Sequence, residues 1–184
     1  MGKNEFNIMD EIKRIETEEV KLSNIQKILL ATDGSVTTIL DVLNGRISIK
    51  TLKQEYQEGN KEIAKILNIN EGEKVNYRVV VMKKDKKPLI YAKSYIPLKR
   101  LSPEFKKDLI SADIPIGRIL KKYNIESRRE VQSALIKKPN KELKEIFKTE
   151  ADFLSRSYNI IHNNEILITI EEIFPLDSFI NSYK

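Results

Sequence analysis

The stretch VNYRVVVM (75–82), KKDKK (83–87) and PLIYAKSYIP (88–97) places two β-rich runs around a short charged tip. Such a pattern reads as an antiparallel hairpin. Alternation puts Arg78, Val80 and Met82 on one face of the first strand and Tyr77, Val79 and Val81 on the other. Both faces are apolar, so the strand is expected to be covered on both sides, with the Arg78 guanidinium at least partly buried. An unpaired buried charge is costly, so Arg78 needs an anionic partner. That partner is either a structural carboxylate or a bound one, which the planar guanidinium suits better than an ammonium would.

Working outward, FLSRSYNII (153–161) and EILITIEEIFP (165–175) form a second hairpin, turning at His162-Asn163-Asn164. RISIKTLKQEY (46–56) and ESRREVQSALIKK (126–138) read as two further strands. Helical periodicity covers residues 8–20. Ser23 is placed to cap NIQKILLAT (24–32), and VTTILDVL (36–43) resumes after Asp33-Gly34. Shorter helices are expected at 60–67, in SPEFKKDLI with Ser102 as N-cap and Pro103 at the first position, in IGRILKKY, and in NKELKEIFK capped by Asn140. Strands that follow one another through tight turns imply an antiparallel sheet of about six strands with helices packed on one side. The expectation is an α+β fold in a single domain over 1–184, opened by an acidic helical extension at 1–22.

What is absent narrows the chemistry. The chain has no cysteine, which excludes disulfides, thiolate zinc sites and cysteine nucleophiles, and one histidine, which excludes a multi-histidine metal site. His162 reads as a solvated turn residue. An enzyme of this composition must work with carboxylates, Arg, Lys, Tyr and hydroxyls. No stretch of 18 uncharged apolar residues is present, and MGKNEFNIMDEIKRIE has no apolar signal core, so a soluble, cytoplasmic protein is expected.

The net charge of +6 points to an anionic partner. The first twenty residues hold three cations and six acids, so the excess lies elsewhere, in clusters such as KKDKK, Lys121-Lys122 and Arg128-Arg129. No nucleic-acid reading motif accompanies them, and they read as solvated surface. A small anionic substrate is compatible with the same charge. ATDGSVTT has one glycine and no following Gly-Lys-Ser/Thr, so it is not a P-loop. Glu171 and Glu172 point to opposite faces of their strand: Ile166, Ile168, Ile170 and Glu172 share one face, and Leu167, Thr169, Glu171 and Ile173 the other. Arg156, like Arg78, is a cation inside a strand.

Taken in order, YRVVV, KKDKKPLIYAKSYIP, LSPEFKKDLI and PIGRIL resemble the middle of the chorismate pyruvate-lyase family in its archaeal-type branch. EEIFP resembles the family's closing Glu-Leu-Phe-Leu-Pro, and LLATDGSVT, more loosely, its early leucine-rich helix and Ser-Met-Thr turn. The likeness covers about residues 26–175. It implies an antiparallel six-stranded sheet, an enclosed site beneath helices, and elimination of pyruvate from chorismate to give 4-hydroxybenzoate, with no metal or organic cofactor.

Carried over by motif, the ring carboxylate falls to Arg78, the ring hydroxyl to Glu171, and backbone contacts to Val36 and Ile116. Lys93, in AKSYIP, stands where the family has an arginine, and Val36 where it has a methionine. Lys93 and Arg156 join the expected cations for a small dianion. The same fold also resembles the UTRA effector domain, which senses small molecules without chemistry. Neither a nucleic-acid nor a membrane partner is expected, and the sequence leaves the oligomeric state open.

Overall fold

A computed structural model describes residues 6–111 and 113–180. The elements run α1 (Ile8–Glu18), α2 (Asn24–Ala31), α3 (Val36–Asn44), β1 (Ser48–Glu58), α4 (Lys61–Leu67), β2 (Lys74–Lys84), β3 (Lys87–Pro97), a 3₁₀ turn (Leu98–Arg100), α5 (Pro103–Ser111), α6 (Ile116–Lys122), β4 (Arg128–Lys137), α7 (Lys141–Phe147), β5 (Phe153–His162) and β6 (Glu165–Pro175). The strands make one antiparallel sheet in the order β1-β2-β3-β6-β5-β4. The architecture is α+β, as the sequence implies.

Local chemistry starts and stops these elements where the residues indicate. Ser23 and Gln26 form a reciprocal capping box on α2, and Asn60 and Asn140 cap α4 and α7 through their side-chain oxygens. Ser102 accepts from the Phe105 N–H at 3.2 Å at the start of α5. At the tip of the β5–β6 hairpin Asn163 and Asn164 both take left-handed φ values, 50° and 61°, which suit a two-residue turn matched to strand twist. His162 sits at that tip, its Nδ1 2.8 Å from the Glu126 carbonyl oxygen.

The main core lies between one sheet face and helices α1, α2, α3, α5 and α6, with Ile15, Leu29, Leu30, Leu40, Phe105, Leu154 and Phe174 fully or nearly fully buried. The two-turn helices α4 and α7 pack on the reverse face, over clusters built on Val75 and on Val79, Val81 and Tyr91. Gln26, itself buried, donates from Nε2 to the carbonyls of Leu176 and Ser178 at 2.8 and 2.9 Å, so the start of α2 holds the chain beyond β6.

Two rows of partnered residues cross the helix-covered face and position Arg78, Tyr158, Glu172 and Arg156. One runs Gln54, Arg78, Ser94, Ile170, Tyr158, Val131; the next runs Thr51, Val80, Ala92, Glu172, Arg156, Ala134.

Candidate functional site

Where these rows pass beneath the N-terminal ends of α3 and α6, sheet and helices enclose a cavity. It is lined among others by Ser35, Val36, Arg78, Ser94, Ile116, Gly117, Arg129, Tyr158 and Glu172. Isoleucine, valine and methionine side chains of the sheet supply an apolar floor. Convergent polar groups on such a floor are the usual make-up of a small-molecule site.

Arg78 is 1% exposed. Its Nη2 donates only over long distances, to Thr51 Oγ1 at 3.4 Å and the Ile114 carbonyl at 3.3 Å, and its Nε, also buried, has no partner. Among the described residues no carboxylate lies within ion-pair distance of it. Burial pulls its pKa down to about 10, against a smaller opposing pull from the charge of Asp113. Of the two partners open to Arg78 in the sequence, the structural carboxylate is thus absent from the described residues. A buried guanidinium with unused donors can take up an anion through short, charge-assisted bonds.

Glu172 is the carboxylate of the cavity. It is 2% exposed, and each oxygen has a donor: Oε1 accepts from the Tyr158 hydroxyl at 3.1 Å and Oε2 from Arg156 Nε at 3.0 Å. Burial, and then the charge of Glu172, push the Tyr158 phenol up, so that hydroxyl stays a donor. Arg156 in turn donates from Nη1 to the carbonyls of Leu29 at 2.7 Å and Thr32 at 2.8 Å, satisfying the end of α2, and its guanidinium lies 4.5 Å from the Tyr158 ring centre.

Helix starts complete the wall. Ser35 caps α3 by accepting from the Thr38 N–H at 3.3 Å, leaving Val36 and Thr37 as the first helical residues on the cavity. Ile116 and Gly117 open α6 beside them. N–H groups in the first turn of a helix have no intrahelical acceptor. The two helices are tied by Arg118 Nη2, which donates to Asp41 Oδ1 and Oδ2 at 3.1 and 2.9 Å. Partial burial works to raise the Asp41 pKa, but the Ile47 N–H and Arg118 outweigh it and hold the carboxyl below its usual range.

Three residues expected at the site stand elsewhere. Glu171 is not beside Arg78: alternation turns it to the reverse face, where it pairs with Lys137 and accepts from Ser155 Oγ at 2.8 Å. Lys93, the Cα partner of Glu171, is on that reverse face too, its Nζ 5.6 Å from the Tyr91 ring centre. It cannot reach a ligand on Arg78. Arg156 shares the cavity's face but is fully buried behind it, and it holds Glu172 rather than lining the wall. Arg78, Val36 and Ile116 do line the cavity.

Two charged residues of the lining, Glu172 and Arg129, are not among those expected at the site from the sequence. Alternation separates Glu172 from Glu171, but both faces of that strand carry aliphatic residues, so the sequence leaves open which glutamate meets the cavity. The Arg128-Arg129 pair reads as surface charge, although neighbours in a strand covered on one face point opposite ways.

Comparison with known proteins adds a family. Residues 30–181 match the family model described as Chorismate pyruvate-lyase Rv2949c-like. A Methanocaldococcus jannaschii protein named "Putative lyase MJ0807" is 42% identical over 162 residues, spanning 84% of this chain and 80% of the relative. Among solved structures, the effector domain of PhnF from Mycobacterium smegmatis superposes with a TM-score of 0.68 at 11% identity, over 79% of this chain and 90% of that one. The C-terminal domain of the histidine utilization repressor from Pseudomonas syringae gives 0.61 at 12% identity, over 76% and 96%. Those two likenesses concern the fold alone.

Proposed function

The chain belongs to the Rv2949c-like chorismate pyruvate-lyase family, and from that membership together with the cavity we propose that it eliminates pyruvate from chorismate to release 4-hydroxybenzoate. The observation that carries the reading is Arg78, a buried guanidinium on the cavity wall with no carboxylate partner among the described residues, one row from the buried carboxylate of Glu172.

Chorismate has a ring carboxylate, an enolpyruvyl ether at C3 and a hydroxyl at C4. The C3–O bond breaks, the C4 hydrogen leaves as a proton, and the electrons of the C4–H bond form the C3–C4 double bond that completes the aromatic ring. The departing enolpyruvate takes up a proton at its methylene carbon and becomes pyruvate. Formation of the aromatic ring drives the step, so the protein's task is to bind one reactive conformer and keep water out.

In this reading Arg78 grips the ring carboxylate, and the Ile116 and Val36 main chain meets the ring's polar ends. Glu172 replaces Glu171 as the acceptor for the C4 hydroxyl. Arg156 and Tyr158 fix its two oxygens, so it is oriented before substrate arrives. Cytoplasmic location belongs to the same proposal; no helix among the described residues is long and apolar enough to cross a membrane.

The test is direct. Purified protein given chorismate should release 4-hydroxybenzoate and pyruvate in equal amounts, with or without a chelator. A second reading, sensing of a small molecule without chemistry, draws on the fold shared with the PhnF effector domain. Tight 4-hydroxybenzoate binding with no turnover of chorismate would select it.

A further inference from the structure

We infer that Arg129 is the cation for a second anionic group, making this a site for dicarboxylates rather than for single carboxylates. The inference deepens the lyase reading and rests on it for the identity of the natural ligand. With Lys93 on the reverse face and Arg156 behind the cavity, Arg78 is the one cation expected from the sequence that faces a substrate carrying two negative charges. Arg129 is the other arginine on the cavity wall.

Three observations place it. Arg129 partners Ile160, which partners Ile168, so it rises from the helix-covered face of β4 at the far side of the sheet from Arg78. β2 and β4 are four strand spacings apart, about 19 Å between main chains, so the two arginines reach in from opposite ends. Its guanidinium is also little used: Nη1 has one long contact, 3.5 Å to the Asp33 carbonyl, and no carboxylate among the described residues pairs with it. The neighbouring Arg128, by contrast, points outward and pairs with Glu130 at 2.9 Å.

Gly117 supplies the third. A side chain there would begin 3.4 Å from Ser35 Oγ and 3.8 Å from Arg129 Nη2. The missing Cβ therefore leaves room between the N-cap of α3 and the guanidinium. An oxyanion beside that gap would meet Arg129 on one side and the Ser35 hydroxyl at the positive end of α3 on the other, a combination that favours negative charge. In chorismate the group to fill it is the enolpyruvyl carboxylate, with Arg78 holding the ring carboxylate.

Calorimetry with benzoate and isophthalate, a mono- and a dicarboxylate of the same ring, tests the claim on the folded protein without requiring turnover. Wild type should bind isophthalate at least tenfold more tightly. Arg129→Gln should lose that preference while its benzoate affinity stays within twofold. Arg128→Gln, the outward control, should keep it. With chorismate, Arg129→Gln should raise KM at least tenfold, and Gly117→Ala should do so in part. Absence of a dicarboxylate preference in wild type, or its survival in Arg129→Gln, overturns the inference. An Arg129-dependent preference without chorismate turnover upholds it and overturns the lyase reading instead.

Discussion

Arg156 Nε stands 3.0 Å from Glu172 Oε2, and neither side chain is more than 3% exposed. This pair anchors the site's carboxylate from behind the cavity. It fixes the Glu172 carboxylate and ties it to the end of α2 through the Leu29 and Thr32 carbonyls. Removing one partner of a buried pair leaves the other charge without compensation, typically about 3–5 kcal/mol. Arg156→Ala should therefore lose that much stability in urea unfolding, and Arg156→Lys should recover only part of it, since a point charge cannot serve the carboxylate and the carbonyls together. A loss under 1 kcal/mol would show that Arg156 does not hold Glu172.

The two adjacent glutamates should behave oppositely. Glu172→Gln should lower kcat at least a hundredfold, because an amide replaces the oriented carboxylate. Glu171→Gln should stay within threefold of wild type, and Lys93→Ala likewise in KM. Steady-state assays of 4-hydroxybenzoate release decide this, and a larger loss at Glu171 would reverse the assignment.

Arg78 should separate function from stability. Its folded pKa lies below the free value, so the folded state disfavours the charged form throughout the neutral range. Arg78→Met should abolish turnover yet be at least as stable as wild type, by up to about 3 kcal/mol at about 1.4 kcal/mol per pKa unit. Unfolded chains hold more protons than folded ones here only between about pH 10 and the free value, so the gain should be constant from pH 6 to 9. Denaturation of both proteins at those pH values checks it; a destabilised Arg78→Met would mean the guanidinium is a structural partner.

Asp41 has the opposite sign. Its carboxyl is held below the usual range, so its contribution to stability is present above the unfolded pKa and is lost as pH falls through the folded one. Asp41→Asn should be less stable than wild type at pH 6, with the gap closing toward pH 3. The same variant loosens the α3–α6 tie and should raise KM for chorismate. A gap that does not change with pH would exclude the Arg118 pairing as its source.

Much of the fold could be read in advance because its signals are local. Ser23 with Gln26, Asn140 before α7, and Asn163-Asn164 between β5 and β6 each declare themselves within a few residues. The site could be read only in part. Alternation sorts Glu171 from Glu172 but does not say which face is covered by helices, and that follows from packing of α2, α3 and α6 onto the sheet. Arg156 is harder still: its carboxylate is 16 residues ahead and its carbonyl partners more than 120 behind, so no spacing rule connects them. Arg129 was hidden by Arg128, since the outward member of the pair has the character expected of both.

The seam between β3 and β6 runs only from Tyr91 to Tyr95 against Thr169 to Ile173, yet Arg78 and Glu172 lie on opposite sides of it. Each half of the sheet is three strands paired with their neighbours in sequence, whereas this junction closes a much longer loop of chain. Neither half alone contains the site. A ligand bridging the two charged residues would act as a clasp across the junction and should slow amide exchange in β3 and β6 more than in the outer strands β1 and β4.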